Sequence, residues 1–489
     1  MNGPSGNNPP PPHILVVPFP SQGHMIPLLD LTHKLASTDT AITITILTTP
    51  KNLTFLDPLL SSFSAIIHPL VLPLPSHPSL PPGVENSKGM PTSVPSLMLS
   101  FSNLYNPLLQ WFHSHPSPPQ LIISDMFSGW TQNLATHLNI RRIVFSPSGS
   151  FALSAIYFLW AHVPNRQNPN DQNELVSFHT LPNSPKYPWW QVSPLFRRYA
   201  SGVPGSEHFR DWFLANIASW GLVINSFNEL EKPYLEHLKK ELRHDRVWAV
   251  GPLLPDPEGL NQKNSSFISE RGGTSSVPIN DVVSWLDKRN RREVVYLCFG
   301  SQVVLSVEQT VAIGSALEKS GVHFVWSVKE GGDDRCVDFM SGFEDRMAAR
   351  GLVIRGWAPQ VVILRHVAVG AFVSHCGWNS VMEAVVAGVP VLAWPMSADQ
   401  FVNATLLVEE LKVAKKVCEG DRAVPDSDEF ARVLAESVSV RDDLEATRAL
   451  KLREATLQSI REGGSSDKDL RSLVGKIHSL MMPTYGDTC

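Results

Sequence analysis

His24 follows the apolar run Ile14–Phe19 through Pro20-Ser21-Gln22-Gly23. A helical pattern begins directly behind it, with Ile26, Leu28, Leu29, Leu31 and Leu35. This predicts a histidine at the carboxyl end of a strand, beside a helix start. In open parallel sheets that edge is where ligands bind. Asp125 closes a second apolar run, Leu121-Ile122-Ile123-Ser124, and is expected at a strand end of the same kind. Imidazole titrates near neutral pH and can take a proton from a hydroxyl. A carboxylate behind it fixes the tautomer and stabilises the imidazolium that forms. His24 and Asp125 are therefore read as a catalytic base and its support. Alone, either residue could cap a helix or loop, and the second half of the chain decides between these readings.

The decisive stretch is Trp357 to Gln400, WAPQVVILRHVAVGAFVSHCGWNSVMEAVVAGVPVLAWPMSADQ. Ala371–Ser374 reads as a strand and His375-Cys376-Gly377-Trp378 as a tight turn. From Asn379 a helix runs to about Ala387, with Gly388 and Pro390 ending it. A strand, a glycine turn and a helix aim free backbone N–H groups and a positive helix end at one point, which makes an anion site. Asn379 and Ser380 add side-chain donors in the first turn. Glu383 lies one turn on, on the face of Asn379, and can accept from two vicinal hydroxyls of a ribose. An exposed Trp357 can stack a planar base.

The elements that must position these residues form two similar halves. Short apolar, β-branched runs without polar alternation recur between helical patterns. They are Ile14–Phe19, Ile42–Leu47, Leu121–Ser124, Arg142–Phe145, Leu222–Asn225 and Val247–Val250, then Val294–Phe299, His323–Val328, Leu352–Ile354, Ala371–Ser374 and Val389–Ala393. Such runs predict strands buried on both faces, in parallel sheets of βαβ units. A length of 489 residues exceeds one core and suits two domains. The expected boundaries are 1–252 for an acceptor domain, 253–278 for a linker rich in Pro, Gly, Asn and Ser, 279–460 for a nucleotide-sugar domain, and 461–489 for helices packing back on the first domain.

Composition removes several classes. A net charge of −5 gives no general affinity for nucleic acid or an anionic membrane. Apolar stretches such as Phe151–Trp160 are too short to span a bilayer. The start of the chain has neither a basic segment nor an apolar core, and five cysteines include no C-x-x-C, so a cytoplasmic protein without disulfides or a zinc site is expected. No G-x-G-x-x-G follows a strand, which argues against a dinucleotide enzyme. The Asp-x-Asp triplet Asp426-Ser427-Asp428 precedes a helical run and reads as an N-cap, and no metal is expected.

The 44-residue stretch, with its HCGWNS core and its closing Asp399-Gln400, resembles the signature box of plant secondary-product glycosyltransferases. The similarity extends from Pro18-Phe19-Pro20-Ser21-Gln22-Gly23-His24 to the C-terminal helices. It is strongest for the branch acting on flavonols and simple phenolic acids. The resemblance implies an inverting, UDP-sugar-dependent enzyme of GT-B fold, an α/β architecture of two Rossmann-like domains with parallel sheets facing across a cleft. It implies that Trp357 stacks on uracil, with the Ala358 backbone at the edge of the base. Gln360 and Glu383 would hold the ribose. His375, Gly377, Asn379 and Ser380 would hold the diphosphate, helped by Ser301. Trp378, Asp399 and Gln400 would hold the sugar hydroxyls, and His24 and Asp125 would be the catalytic pair.

In the resembled family a terminal Gln in the box tends to accompany glucose, so Gln400 points to UDP-glucose; relatives using UDP-rhamnose or UDP-xylose keep those donors open. Phe19, Phe127, Phe151, Trp189, Trp190 and Phe196 either wall a flat pocket for a planar phenol or serve as core and loop anchors. The resulting expectation is a monomer that binds a UDP-sugar and a small phenol. A non-catalytic nucleotide-sugar-binding protein on the same fold is the alternative.

Overall fold

The structure is a computed structural model, and residues 11–88, 94–254, 275–329, 334–439 and 444–481 are described. The predicted linker lies, over 255–274, outside the described residues. The strands of the first half are β1 (His13–Val17), β2 (Thr43–Thr48), β3 (Ile67–Val71), β4 (Leu121–Asp125), β5 (Arg141–Ser146), β6 (Leu175–Ser177), β7 (Lys186–Pro188), β8 (Gly221–Ile224) and β9 (Val247–Ala249). Those of the second half are β10 (Val294–Cys298), β11 (His323–Val328), β12 (Gly351–Arg355), β13 (Val369–Ser374), β14 (Val391–Ala393) and β15 (Ala414–Lys416).

Two parallel sheets result, ordered β3-β2-β1-β4-β5-β8-β9 and β12-β11-β10-β13-β14-β15. Alternate residues of β1 enter different cores: Leu15 and Val17 face one, Ile14 and Val16 the other. That is why the strand reads as an unbroken apolar run. In each sheet the chain reverses its direction of travel beside the first strand, between β1 and β4 and between β10 and β13. The carboxyl ends there leave a crevice.

Every predicted strand is present, with ends shifted by a residue or two. Three elements were not predicted: β3, β15 and the antiparallel pair β6–β7. β3 and β15 are edge strands; β3 carries Pro69 and β15 two exposed lysines, so neither shows the apolar run of a central strand. The first helix spans Gln22–Thr38, starting at Gln22 rather than near Ile26, so His24 rides in its first turn. Two C-terminal helices span Leu444–Ile460 and Ser465–Met481. The second lies on the first domain. Leu473 and Ile477 complete the core shared with Ile14 and Val16, and Asp469 accepts from Ala249 N at 2.7 Å on the outermost strand β9. Among the described residues no helix is long and apolar enough to cross a membrane.

Candidate active site

His24 and Asp125 come together at the first crevice. His24 Nδ1 lies 3.1 Å from Asp125 Oδ1 and 3.0 Å from Oδ2. The carboxylate is fully buried and the imidazole side chain is 17% exposed. Asp125 also caps the short helical turn Met126–Ser128, accepting from Phe127 N at 2.8 Å. With Nδ1 donating to the carboxylate, Nε2 keeps its lone pair and can accept a proton. Phe127 lies over the imidazole, ring centroids 4.3 Å apart, and Phe19 backs both rings.

The second crevice is built differently. β13 delivers His375 into a turn in which Cys376 adopts φ +62, and a helix follows over Trp378–Ala387. Its N-cap, Gly377, supplies no side-chain cap, so the first N–H groups are open to an anion. Asn403 Nδ2 donates to Cys376 O at 2.9 Å and holds the turn. The His375 ring is packed against two glycines. A Cβ at Gly300 or at Gly377 would come within 2.6 Å of its Nε2. Burial pushes His375 down to about 4, so the ring is neutral at physiological pH, and its Nδ1 is buried without a partner among the described residues.

One turn on, Gln360 Nε2 donates to Ser380 Oγ at 3.0 Å and to Glu383, while Tyr296 OH donates to Gln360 Oε1 at 3.2 Å. Three sequence-predicted residues thus form one network. Trp357 follows β12 and is half-buried, Ala358 is buried beside it, and Ser301 is exposed next to Gly300.

The two crevices meet along a seam of hydrogen bonds. Trp378 Nε1 donates to Asn225 O at 2.6 Å, Asn379 Nδ2 to Gly23 O at 3.1 Å, and Ser148 Oγ to Asp399 Oδ2 at 2.9 Å. Gln302 Nε2 reaches Ser87 Oγ at 3.1 Å. The indole N–H of Trp378 is therefore engaged with the first domain. Gln400 Oε1 accepts from Met396 N and Ser397 N, both at 2.9 Å, so only its amide N–H groups point outward from that turn. Burial pushes the Asp399 carboxyl up, opposed by the hydrogen bond from Ser148. Ser148, Asn225, Gln302 and Tyr296 were not singled out in the sequence. They are common polar residues in unremarkable runs, and only their partners across the seam mark them.

The six aromatics separate. Phe19 and Phe127 touch His24. Phe151 stacks on Tyr234, centroids 4.1 Å apart and fully buried, and so is a core residue. Phe196 is buried among Trp160, Tyr199 and Trp189. Trp190 packs edge-on to Phe401 of the second domain, and Trp189 lies under Arg166. Asp426 caps the helix Ser427–Ser437, accepting from Asp428 N and Glu429 N. Among the described residues no group of three or more His, Cys, Asp or Glu is placed to hold a metal. A cavity of about 360 Å³ opens at the opposite edge of the first sheet, near His13 and Trp111, and has no part in this crevice.

Comparison with known proteins agrees with this architecture. Residues 264–417 match the family described as UDP-glucoronosyl and UDP-glucosyl transferase. A flavonol 3-O-glucosyltransferase of Arabidopsis thaliana is 53% identical over 97% of this chain and 98% of its own length. A flavonol 7-O-rhamnosyltransferase of the same plant is 40% identical over 95% and 98%. The crystal structure of Arabidopsis thaliana UGT89C1 with UDP-L-rhamnose superposes with a TM-score of 0.78 at 38% identity, covering 96% of this chain and 99% of that one. The two parallel-sheet domains are the GT-B arrangement. With near-full-length relatives at this identity, the chain belongs to the plant UDP-glycosyltransferases.

Proposed function

We propose that the chain transfers glucose from UDP-glucose to a hydroxyl of a flavonol or related phenol, with inversion. The observation that carries this reading is the His24–Asp125 pair, joined to the Trp378–Ala387 helix start by the Asn379–Gly23 hydrogen bond. Base and anion site face one reacting centre. His24 Nε2 removes the acceptor proton as its oxygen bonds to the anomeric carbon. The bond from that carbon to the diphosphate oxygen breaks, and the electron pair leaves with UDP. The attack comes opposite to the leaving group, so an α-linked donor gives a β-glycoside.

The diphosphate sits on the open N–H groups at Trp378–Ser380, with neutral His375 donating one hydrogen bond and Ser301 nearby. These groups oppose the leaving charge without a metal, and Asp426 of the triplet Asp426-Ser427-Asp428 is engaged as a helix cap. Gln360 and Glu383 hold the ribose, and Trp357 and Ala358 the uracil. Asp399, Gln400 and the Trp378 backbone hold the sugar. Phe127, with Trp189 and Trp190 further out, faces the acceptor; Phe19 backs Phe127 and Phe196 backs Trp189. The protein works as a cytoplasmic monomer.

Support for glucose comes from Gln400, the intact HCGWNS core and the 53% identical relative named a glucosyltransferase. A second reading, UDP-rhamnose as donor, draws on the 40% identical rhamnosyltransferase. A transfer assay in EDTA, with UDP-glucose, UDP-xylose and UDP-rhamnose against flavonols and hydroxybenzoates, separates them. Glucoside formation that survives EDTA is the expected result. Faster transfer of rhamnose would overturn the donor assignment, and loss of activity restored by a divalent cation would overturn metal independence.

A further inference from the structure

Arg142 is a charged side chain only 1% exposed, inside the first domain. It lies on β5, with Ile122 of β4 opposite. Its Nε donates to Ser124 Oγ at 2.7 Å and one terminal nitrogen to Asn216 Oδ1 at 2.9 Å. The other terminal nitrogen has no partner among the described residues. Both partners are neutral, so the guanidinium is held out of water without a contacting carboxylate, an arrangement costly for stability alone. Burial pushes it down to about 10, which leaves it cationic at neutral pH. At neutral pH the charge that acts on it is the Asp125 carboxylate; the Tyr157 phenol beside it is pushed up by burial and stays neutral.

Its partners fasten the loop that carries Asp125. Ser124 Oγ lies 2.8 Å from Thr131 Oγ1, which donates to Ser128 O at 2.7 Å. Asn216 Nδ2 donates to Met126 O at 2.7 Å. The segment from Ser124 to Thr131 is thus tied down on both sides of Asp125 by groups that converge on one guanidinium.

We propose that Arg142 is a positioning residue for the transfer reaction: it fixes the Asp125 loop and lends it positive potential, keeping the carboxylate ionised and opposing a proton on the His24–Asp125 pair. This rests on the reading of His24 as the base. The charged groups acting on His24 are Asp125 and, across the seam, Asp399. A cation behind the pair keeps His24 free to accept the acceptor's proton, because a second positive charge nearby is disfavoured.

The test is the pH profile of kcat/KM with UDP-glucose for the parent, Arg142→Met, Arg142→Lys, Asn216→Asp and His24→Ala, with UDP affinity and thermal midpoint measured on each. In Arg142→Met, the acid limb is expected to move to higher pH by roughly half a unit to one unit. kcat should fall about tenfold while KM for UDP-glucose holds. Arg142→Lys should bring the limb back toward the parent. Asn216→Asp sets a carboxylate against the guanidinium and should move the limb the same way, which serves if Arg142→Met does not fold. A folded Arg142→Met or Asn216→Asp with the parent's profile overturns the proposal. Were His24→Ala to stay active, the base assignment itself would fall; an inactive His24→Ala with unmoved Arg142 profiles removes only the role of Arg142.

Discussion

Each domain places a histidine where a strand beside the sheet's switch point runs into a helix, and the two have opposite surroundings. His24 keeps a fully buried carboxylate 3.0 Å from Nδ1 and one face partly open. Among the described residues His375 has no charged partner; it packs against Gly300 and Gly377 and is pushed down to about 4 by burial. The same residue type, following β1 in one domain and β13 in the other, thus sits beside a buried carboxylate in the first and in a crowded, uncharged pocket in the second. What differs is the second side chain: Asp125 makes an imidazolium tolerable, and the crowding round His375 makes one costly. Position in the fold offers a histidine to the ligand, and its neighbours decide what it can do there.

The sharpest test of this contrast is to remove each ring in turn. His24→Ala should lower kcat by about 10³-fold with UDP affinity kept, since a general base contributes on that scale; a small loss would end the contrast. His375→Gln should instead act on the donor. A hydrogen bond to a charged group contributes about 1.5–3 kcal/mol, so KM for the UDP-sugar should rise roughly 10- to 100-fold with a smaller change in kcat. Steady-state kinetics separates the two patterns.

Crowding can be tested directly. Gly300→Ala adds a Cβ within 2.6 Å of His375 at a φ of +75, and a left-handed backbone costs a side chain about 1–2 kcal/mol. A lower melting temperature and a weaker UDP affinity are expected; an unchanged protein would show that the ring is free to move. Trp378→Phe keeps the packing and deletes the Nε1 bond to Asn225 O. About 1 kcal/mol should be lost, read as a few-fold rise in KM for the donor.

The smallest expected effect is a pH dependence of stability. Because the folded His375 takes a proton only near 4, the unfolded chain binds it first as pH drops below about 6.5. The contribution of His375 to stability is present above about 6.5 and is lost as pH falls toward 4. Other groups titrate in the same window, so the measure is the difference in melting temperature between the parent and His375→Gln. That difference should shift against the parent on acidification; a constant difference would mean the ring protonates as freely folded as unfolded.

The donor side was legible because Trp357 to Gln400 holds its parts within one stretch. Strand, glycine turn and helix follow one another, and helical spacing puts Ser380 and Glu383 on one helix start, while Gln360 joins them from a separate helix and was implied by the resemblance alone. His24 and Asp125 were legible as two strand ends, but their meeting depends on β1 and β4 being neighbours although the two residues are separated by 101 in sequence number. The aromatics were the least legible: Phe127 and Phe151 look alike in sequence, yet one covers His24 and the other stacks in the core on Tyr234.

By itself the sequence determined which central runs are buried on both faces, where the Trp378–Ala387 helix ends, and which side chains stand at strand ends, since those follow from nearest neighbours and periodicity. Tertiary structure alone decided the seam, in which Asn225, Ser148 and Gln302 meet Trp378, Asp399 and Ser87. It also decided the burial of Arg142 behind Asp125. The physical reason is distance along the chain. A hydrogen bond between residues hundreds of positions apart leaves no periodicity in either segment, and a polar residue's partner is fixed only when the layers have packed.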